Sequence, residues 1–388
     1  MSPNPLRQIL AGLFIAAALI ALFQYLGSSQ SAPTSPSGKI SNPTQHPFYK
    51  DYVFANSDKV IEIGTQPTWV PGGLETEVMR RDAILKFELA RLGMTARFVP
   101  FLKGPDQNAF MARGEVEVGT GGDMPGFALC ASTQTLIPVQ ADLNFVALVA
   151  MENQSLRDLR GRKIGYPHGS NAHYMLLQSL ALEGMSENDV RLIPMNVNKL
   201  AEALGKGQIQ AFAAWEPTPS IAAKEIGAKT IRRMLSSGYT WFRKDFAENH
   251  PEAVRLIVAS QIRALNWLHE SRENRIRASR WGLETWKRIF LRPAPLTPEE
   301  FADILEVSLH NLSGVPVIPA RDLAPEGRAS KLTEFLKGLG KIDPAISWEE
   351  IRKCLDRDIA LGVMSDPVKY RLYDPSISDH PAPVRESE

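Results

Sequence analysis

Cysteine is nearly absent from this chain. Two in 388 residues exclude a disulfide-dense scaffold and a cysteine-rich zinc site. Charge of one sign is also lacking: 44 Lys and Arg stand against 43 Asp and Glu, a net charge of +1. A polyanion binder normally carries a basic excess, so nucleic acid is not an expected partner. Histidine numbers seven, and His168 and His173, five residues apart, do not share a helix face as a metal pair would. The Gly119-x-Gly121 pair lacks the third glycine of a dinucleotide loop, because Met124 stands in its place. No G-x-S-x-G nucleophile elbow occurs. These absences lead to an expectation of no catalytic residues, no metal and no cofactor. What is present is globular in composition, 44% hydrophobic and 22% charged, which excludes wholesale disorder.

One local bias stands out. No charged side chain occurs between Arg7 and Lys39, and Ile9 to Phe23 is unbroken apolar sequence that Gln24, Tyr25 and Leu26 extend to 18 residues. A basic start, an apolar run and a Ser/Pro-rich follow-on form the layout of an export signal. Eighteen residues are also close to the ~20 that span a bilayer. No A-x-A cleavage site follows the apolar run, so residues 1–26 read as a signal peptide or a membrane anchor. The expected location is periplasmic or extracytoplasmic, with a possible inner-membrane tether through 9–26. Residues 27–57 read as a linker, since 27–47 alone holds six Ser and four Pro. In an exported chain Cys130 and Cys354 could oxidise, but their separation of 224 residues does not show whether they meet, and two unrelated buried thiols is the plainer reading.

From Asp58 the sequence repeats itself. Val60–Ile63 reads as a strand, followed by a helix whose Val78, Leu85, Leu89 and Leu92 share a stripe up to Gly93. A strand at 97–99, a helix ending at Gly114 and a strand at 116–118 lead into Gly119–Pro125. The same order recurs as a strand at 163–165, a helix from Ala172 to Gly184, a strand at 190–193, a helix ending at Gly207, and a strand running into Ala213–Pro217. Gly64, Gly93 and Gly114 match Gly165, Gly184 and Gly207 at offsets of 101, 91 and 93 residues, and Asp123 matches Glu216. Strand–helix alternation is the grammar of a parallel α/β sheet. Two copies predict two lobes: lobe 1 over 58–146, lobe 2 over 147–230, then a return to lobe 1 with a helical C-terminal extension over 231–373 and a flexible tail at 374–388. Helices are expected around 297–312 and 348–361. From Arg272 to Arg292 seven basic residues face two acidic ones, which reads as a solvated helix face or a docking surface.

In open α/β sheets, ligands bind beyond the carboxyl ends of the strands. The loops at Gln66-Pro67, Gly122-Asp123-Met124, Gly169-Ser170-Asn171 and Trp215-Glu216 are therefore the expected walls of a cleft. Here the residues resemble a known family. Asp158–Gly165 followed by Gly169-Ser170-Asn171-Ala172-His173, Gly207–Ala211 running into Trp215-Glu216-Pro217, Thr120–Pro125 and Asp245–Pro251 are together similar to the ABC-transporter substrate-binding proteins of the nitrate/sulfonate/taurine family. The resemblance runs from about residue 58 to 290. It implies the type-2 periplasmic-binding fold, two lobes with a hinge and a central cleft. The implied function is capture of a small organic anion, sulfonate- or taurine-like, by a monomer that delivers it to an ABC permease. Asp123, Met124, Asn171 and Thr218 depart from the family's commoner residues, which bears on ligand identity.

The residue chemistry suits binding. Ser170 or Asn171 stands where a helix N-cap belongs, and free N–H groups with the positive helix end make an anion site. Ordinary capping without a ligand is the plainer alternative. Trp69 and Trp215 read as walls for an apolar tail or as core. Asp123 and Glu216 read as holders of a ligand amine or of backbone N–H groups, and His173 as a hydrogen-bond donor at the pocket edge or as surface. The alternative function is an enzyme on the same fold, such as a relative of thiamine-pyrimidine-precursor synthases, or a tethered sensor module.

Overall fold

The computed structural model describes residues 42–132, 135–311, 316–374, 376–379 and 381. The apolar stretch 9–26 lies outside them. Among the described residues no helix is long and apolar enough to cross a membrane.

The first half runs β1 (Val60–Thr65), α1 (Gly72–Met79), α2 (Ala83–Arg91), β2 (Thr95–Pro100), α3 (Gly104–Met111), β3 (Val118–Gly122) and α4 (Asp123–Ser132). A long strand, β4 (Thr135–Ala150), leads to the second half: β5 (Lys163–Tyr166), α5 (Asn171–Leu182), β6 (Arg191–Pro194), α6 (Val197–Gly205), β7 (Ala211–Trp215) and α7 (Thr218–Ile226). The chain returns through a second long strand, β8 (Lys229–Arg243). It ends in helices α8 (Lys244–Asn249), α9 (Pro251–Glu270), α10 (Arg272–Phe290), α11 (Pro298–Asn311), α12 (Arg328–Gly338), α13 (Trp348–Arg352) and α14 (Asp358–Ser365).

The strand order is β2-β1-β3-β8-β4-β7-β5-β6. Each half is parallel within itself, β1 with β2 and β3, and β5 with β6 and β7. The halves are joined by the antiparallel ladder of β4 and β8, which runs from Thr135↔Arg243 to Ala150↔Lys229 with three register shifts. Two crossing strands with irregular register form the hinge of a two-lobed fold. Each half has its own apolar cluster, one around Ile61, Ile63 and Phe98 and one around Ile164, Leu200 and Phe212.

The matched glycines have physical causes. Gly93, Gly114, Gly184 and Gly207 all have φ between +67° and +78°, the left-handed conformation that ends a helix at little cost only in glycine. A Cβ at Gly64 would meet the Gln107 side chain, and one at Gly165 would lie 2.7 Å from Ile209 and 2.8 Å from Leu200.

The structure corrects the sequence reading at four points. Cys130 and Cys354 form a disulfide, with Cα atoms 6.0 Å apart. The C-terminal extension brings them together by lying along β4: the Ile137 N–H donates to the Cys354 carbonyl at 2.6 Å, and the Asp356 N–H to that of Ile137 at 3.0 Å. The helix expected from residue 75 to 92 is two helices. Asp82 interrupts it by capping α2, accepting from the Ile84 and Leu85 N–H groups, and Leu92 is exposed. Within the stretch expected as linker, Tyr49 and Phe54 are buried. The Tyr49 hydroxyl donates to Asp106 at 2.6 Å and accepts from the Leu102 N–H at 2.9 Å, so folded sequence starts ahead of Asp58. The helix expected around 348–361 is two, α13 and α14, and α12 lies inside the stretch read as a helical C-terminal extension. In the basic stretch, Arg272 pairs with Asp303 and Arg275 with Glu306, while Arg277 lies over Trp281 at 5.0 Å.

Candidate ligand cleft

The four expected loops meet across the hinge strands. Asp123 opens α4 and is buried at 5% exposure. One carboxylate oxygen accepts from the Met124 N–H at 2.8 Å. The other accepts from the Ser236 hydroxyl at 3.2 Å and the Ser237 N–H at 3.4 Å, both on β8. From the second half, the Asn171 side-chain amide donates to Ser236 Oγ at 3.1 Å. Asp123, Ser236 and Asn171 thus form one polar bridge from lobe to hinge to lobe. Gly122 makes the approach possible, because a Cβ there would lie 2.5 Å from Asn171 Cβ. Burial pushes the Asp123 carboxyl up to about 6, against the opposing effects of its hydrogen bonds and of Arg328.

A second contact set surrounds the loop after β1. Gln66 donates its side-chain amide to the Thr120 carbonyl. Pro67 is half-buried. The Trp69 indole N–H donates to Asp142 on β4 at 3.0 Å, and its ring packs where a Cβ on Gly72 or Gly238 would fall. From the second lobe, the Trp215 indole N–H donates to the Thr68 carbonyl at 2.8 Å, and the Glu216 carbonyl accepts from the Val70 N–H at 3.1 Å. The Glu216 carboxylate accepts from the Ser220 N–H at 3.3 Å, so it caps α7. Met124 packs into the apolar cluster of Phe127 and Trp241.

At the start of α5, Ser170 is the N-cap. Its hydroxyl accepts from the His173 N–H at 3.3 Å and donates to the Pro167 carbonyl at 2.6 Å. The N–H groups of Asn171 and Ala172 lie in the first turn, where a helix offers no acceptor of its own. Gly169 turns the chain with φ +74° and donates its N–H to His173 Nδ1 at 3.2 Å. That bond places the imidazole proton on Nε2. His173 is fully buried and its Nε2 has no partner among the described residues. Burial first, then His168 and Lys341, hold its pKa well below the ordinary histidine value, so it is neutral. The α5 N-terminus and a neutral N–H donor form an arrangement suited to an anionic head. Ser170→Ala removes the cap, and a loss of ~1 kcal/mol in unfolding free energy is expected by urea titration.

The loops thus bring together Gly122, Asp123 and Asn171 around Ser236, and Trp69, Trp215 and Glu216 around the loop after β1. Met124 faces the core. Sequence reading passed over Asp142, Ser236 and Ser237. The signal for Asp142 was a lone acid inside an apolar strand, and for the serines a Ser-Ser-Gly break in another. Asp142 is 3% exposed, and burial raises its pKa to about 8, despite the Trp69 and Gly238 N–H bonds. Among the described residues no cluster of three or more His, Cys, Asp or Glu could hold a metal.

Residues 139–274 match the "NMT1/THI5 like" family model. The taurine-binding periplasmic protein of Escherichia coli K12 is 30% identical over 187 residues, which is 44% of this chain and 57% of that protein. The chain therefore matches a little over half the length of this relative. The alkanesulfonate-binding protein SsuA of Xanthomonas axonopodis pv. citri, solved with MOPS bound, superposes with a TM-score of 0.59 at 19% identity, covering 76% of this chain and 97% of that one. The nitrate-binding protein NrtA of Synechocystis PCC 6803 gives 0.55 at 11% identity, covering 83% and 92%. The chain thus carries an NMT1/THI5-like segment over residues 139–274, set within the two-lobed fold of the nitrate-, sulfonate- and taurine-binding proteins that its loop motifs resemble.

Proposed function

We propose that this chain is an extracytoplasmic solute-binding protein that captures a small organic anion between its lobes and delivers it to an ABC permease. The observation that carries this reading is the Asp123–Ser236–Asn171 bridge, which joins both lobes through the hinge. Polar groups at such a junction serve binding by closure, because a solute that contacts both lobes favours the closed state by its differential affinity. The first turn of α5 and the His173 Nε2 donor receive the acidic head of a sulfonate- or taurine-like ligand. Gln66, Pro67, Trp69, Gly169 and Trp215 shape the rest of the cleft. In this reading lobe 1 covers 58–146 and lobe 2 covers 147–230, while residues 9–26 export or tether the chain.

Sequence likeness to a taurine-binding protein and structural likeness to an alkanesulfonate-binding protein support the reading. The enzyme alternative has less support. Cys130, the thiol nearest the cleft, is locked in a disulfide, and a disulfide sulfur is not a free nucleophile.

Thermal denaturation tests the proposal across alkanesulfonates, 2-aminoethanesulfonate, aromatic sulfonates, nitrate and thiamine-pyrimidine precursors. A ligand at a hundred times its Kd adds about 2.7 kcal/mol to the folded state. At least one compound is therefore expected to raise Tm by several degrees. A flat response from a folded chain across the whole panel overturns it.

A further inference from the structure

Helix α12 and the turn after it touch both halves of the molecule. Ala329, Leu332 and Leu336 recur at helical spacing, three and four apart, and form one apolar stripe. With Ile342 they are buried in the same apolar cluster as Phe127 of α4 and Trp241 of β8. The backbone fastens the extension to the same region, through the bonds between Ile137 and Cys354–Asp356 and from the Gln140 N–H to the Pro316 carbonyl at 3.1 Å. The Cys130–Cys354 disulfide adds a covalent tie to α4. The extension is therefore fixed to the first half and the hinge.

Beside that stripe the extension reaches the second half. Phe335 meets Tyr174 of α5 edge-on, with ring centres 5.6 Å apart and planes at 76°. Gly340 turns the chain with φ +65°, and Lys341 Nζ then lies 3.3 Å from Glu187 Oε1, between α5 and β6. Burial first, and then the Lys341 charge, lower the pKa of His168. Lys341 thus stands near the loop that leads into the first turn of α5. The segment ahead of β1 makes a like contact: Tyr49 anchors it on Asp106, and His46 Nε2 lies 3.2 Å from the Asn196 side-chain amide. The family-model match ends at residue 274, well before α12.

We infer that the C-terminal extension is a latch on the closed cleft, anchored to lobe 1 by its apolar stripe and the Cys130–Cys354 bond and holding lobe 2 through Phe335 and Lys341. This rests on the solute-binding reading and adds to it the residues that set how long the solute is retained. Opening at the β4–β8 hinge carries α5 away from lobe 1. It separates Phe335 from Tyr174 and Lys341 from Glu187 and leaves the stripe in place. Contacts made only in the closed state favour that state. They slow release and leave the encounter with the solute unchanged. Their effect is modest, since a half-exposed ion pair is weak and the aromatic pair adds little beyond its buried area.

Stopped-flow tryptophan fluorescence of the full chain tests the latch, with 2-aminoethanesulfonate, ethanesulfonate and nitrate as probes. Phe335→Ala with Lys341→Ala is expected to release a bound probe roughly tenfold faster. Its association rate and circular dichroism should stay near wild type. Glu187→Lys alone should also speed release, and adding Lys341→Glu should restore most of the wild-type rate. Cys130→Ser with Cys354→Ser loosens the anchor and should shift release in the same direction. Wild-type release from the Phe335 and Lys341 variant overturns the latch and leaves the solute-binding reading standing. So does a charge swap that releases no more slowly than Glu187→Lys. Wild-type release from the cysteine variant overturns the part given to the disulfide. Failure of all three probes to bind overturns both the latch and the reading on which it rests.

Discussion

Gly122→Val folds and fails to close. The added side chain has its nearest neighbours on one residue, Asn171 of the opposite lobe, at 2.5 to 2.9 Å. The three atoms nearest the new Cβ all belong to Asn171, so separating the two loops relieves the collision, and the unliganded variant should keep its circular dichroism and urea midpoint near wild type. The closed state is another matter. Overpacking a close contact costs about 1–3 kcal/mol, and that cost falls entirely on the closed form. The apparent affinity drops with the population of the competent state, roughly ten- to hundredfold, and the ligand-induced rise in Tm shrinks with it. Asn171→Gly in the same chain removes the atoms that collide. It should recover part of the lost affinity, but not the Asn171–Ser236 hydrogen bond. Wild-type affinity in Gly122→Val, measured by calorimetry, would mean that these loops do not meet in the bound state.

Arg263→Ala should destabilise the fold far more than loss of the Ser170 cap. Arg263 is fully buried on α9, and its Nε and Nη2 donate to Asp82 Oδ2 at 2.9 and 2.6 Å. Its Nη1 donates to the Tyr370 carbonyl at 2.6 Å. The other oxygen of Asp82 caps α2. One guanidinium therefore ties α9, the start of α2 and the C-terminal segment together. Removing it leaves a buried carboxylate without a counter-charge, which costs about 3–5 kcal/mol. Urea unfolding should show that loss as a lower midpoint. The pair itself contributes less than this, because burying two charges also carries a desolvation cost. Arg263→Met with Asp82→Leu should therefore be less destabilised than Arg263→Ala. A loss under 1 kcal/mol in the single variant would remove the ion pair from any structural role.

Much of this architecture was legible in the sequence, for identifiable reasons. The two strand–helix copies could be aligned because helix ends need left-handed glycines and close strand–helix contacts need residues without a side chain. Those requirements left Gly93 and Gly184, Gly114 and Gly207, and Gly64 and Gly165 at matching positions. The loops that form the cleft followed from the ends of the strands. What remained hidden was long-range. The hinge is antiparallel pairing between β4 and β8, about ninety residues apart, and nothing local in either segment reports its partner. Arg263 is 181 residues from Asp82, and nothing in the sequence around either one names the other. Asp142 sits in an apolar strand, where a lone acid has no local pattern to announce it. The disulfide depends on the path of the C-terminal extension along β4. Glu216 shows the opposite case, a residue expected to face a ligand whose carboxylate caps a helix.

Native mass spectrometry of the full chain, purified gently and sprayed with and without the ligand panel, tests the central claim most directly. The predicted result is one small molecule retained per chain, lost or weakened in Gly122→Val. A chain that is folded by circular dichroism yet shows only its bare mass, alone and with every compound added, would contradict a solute cleft between the lobes.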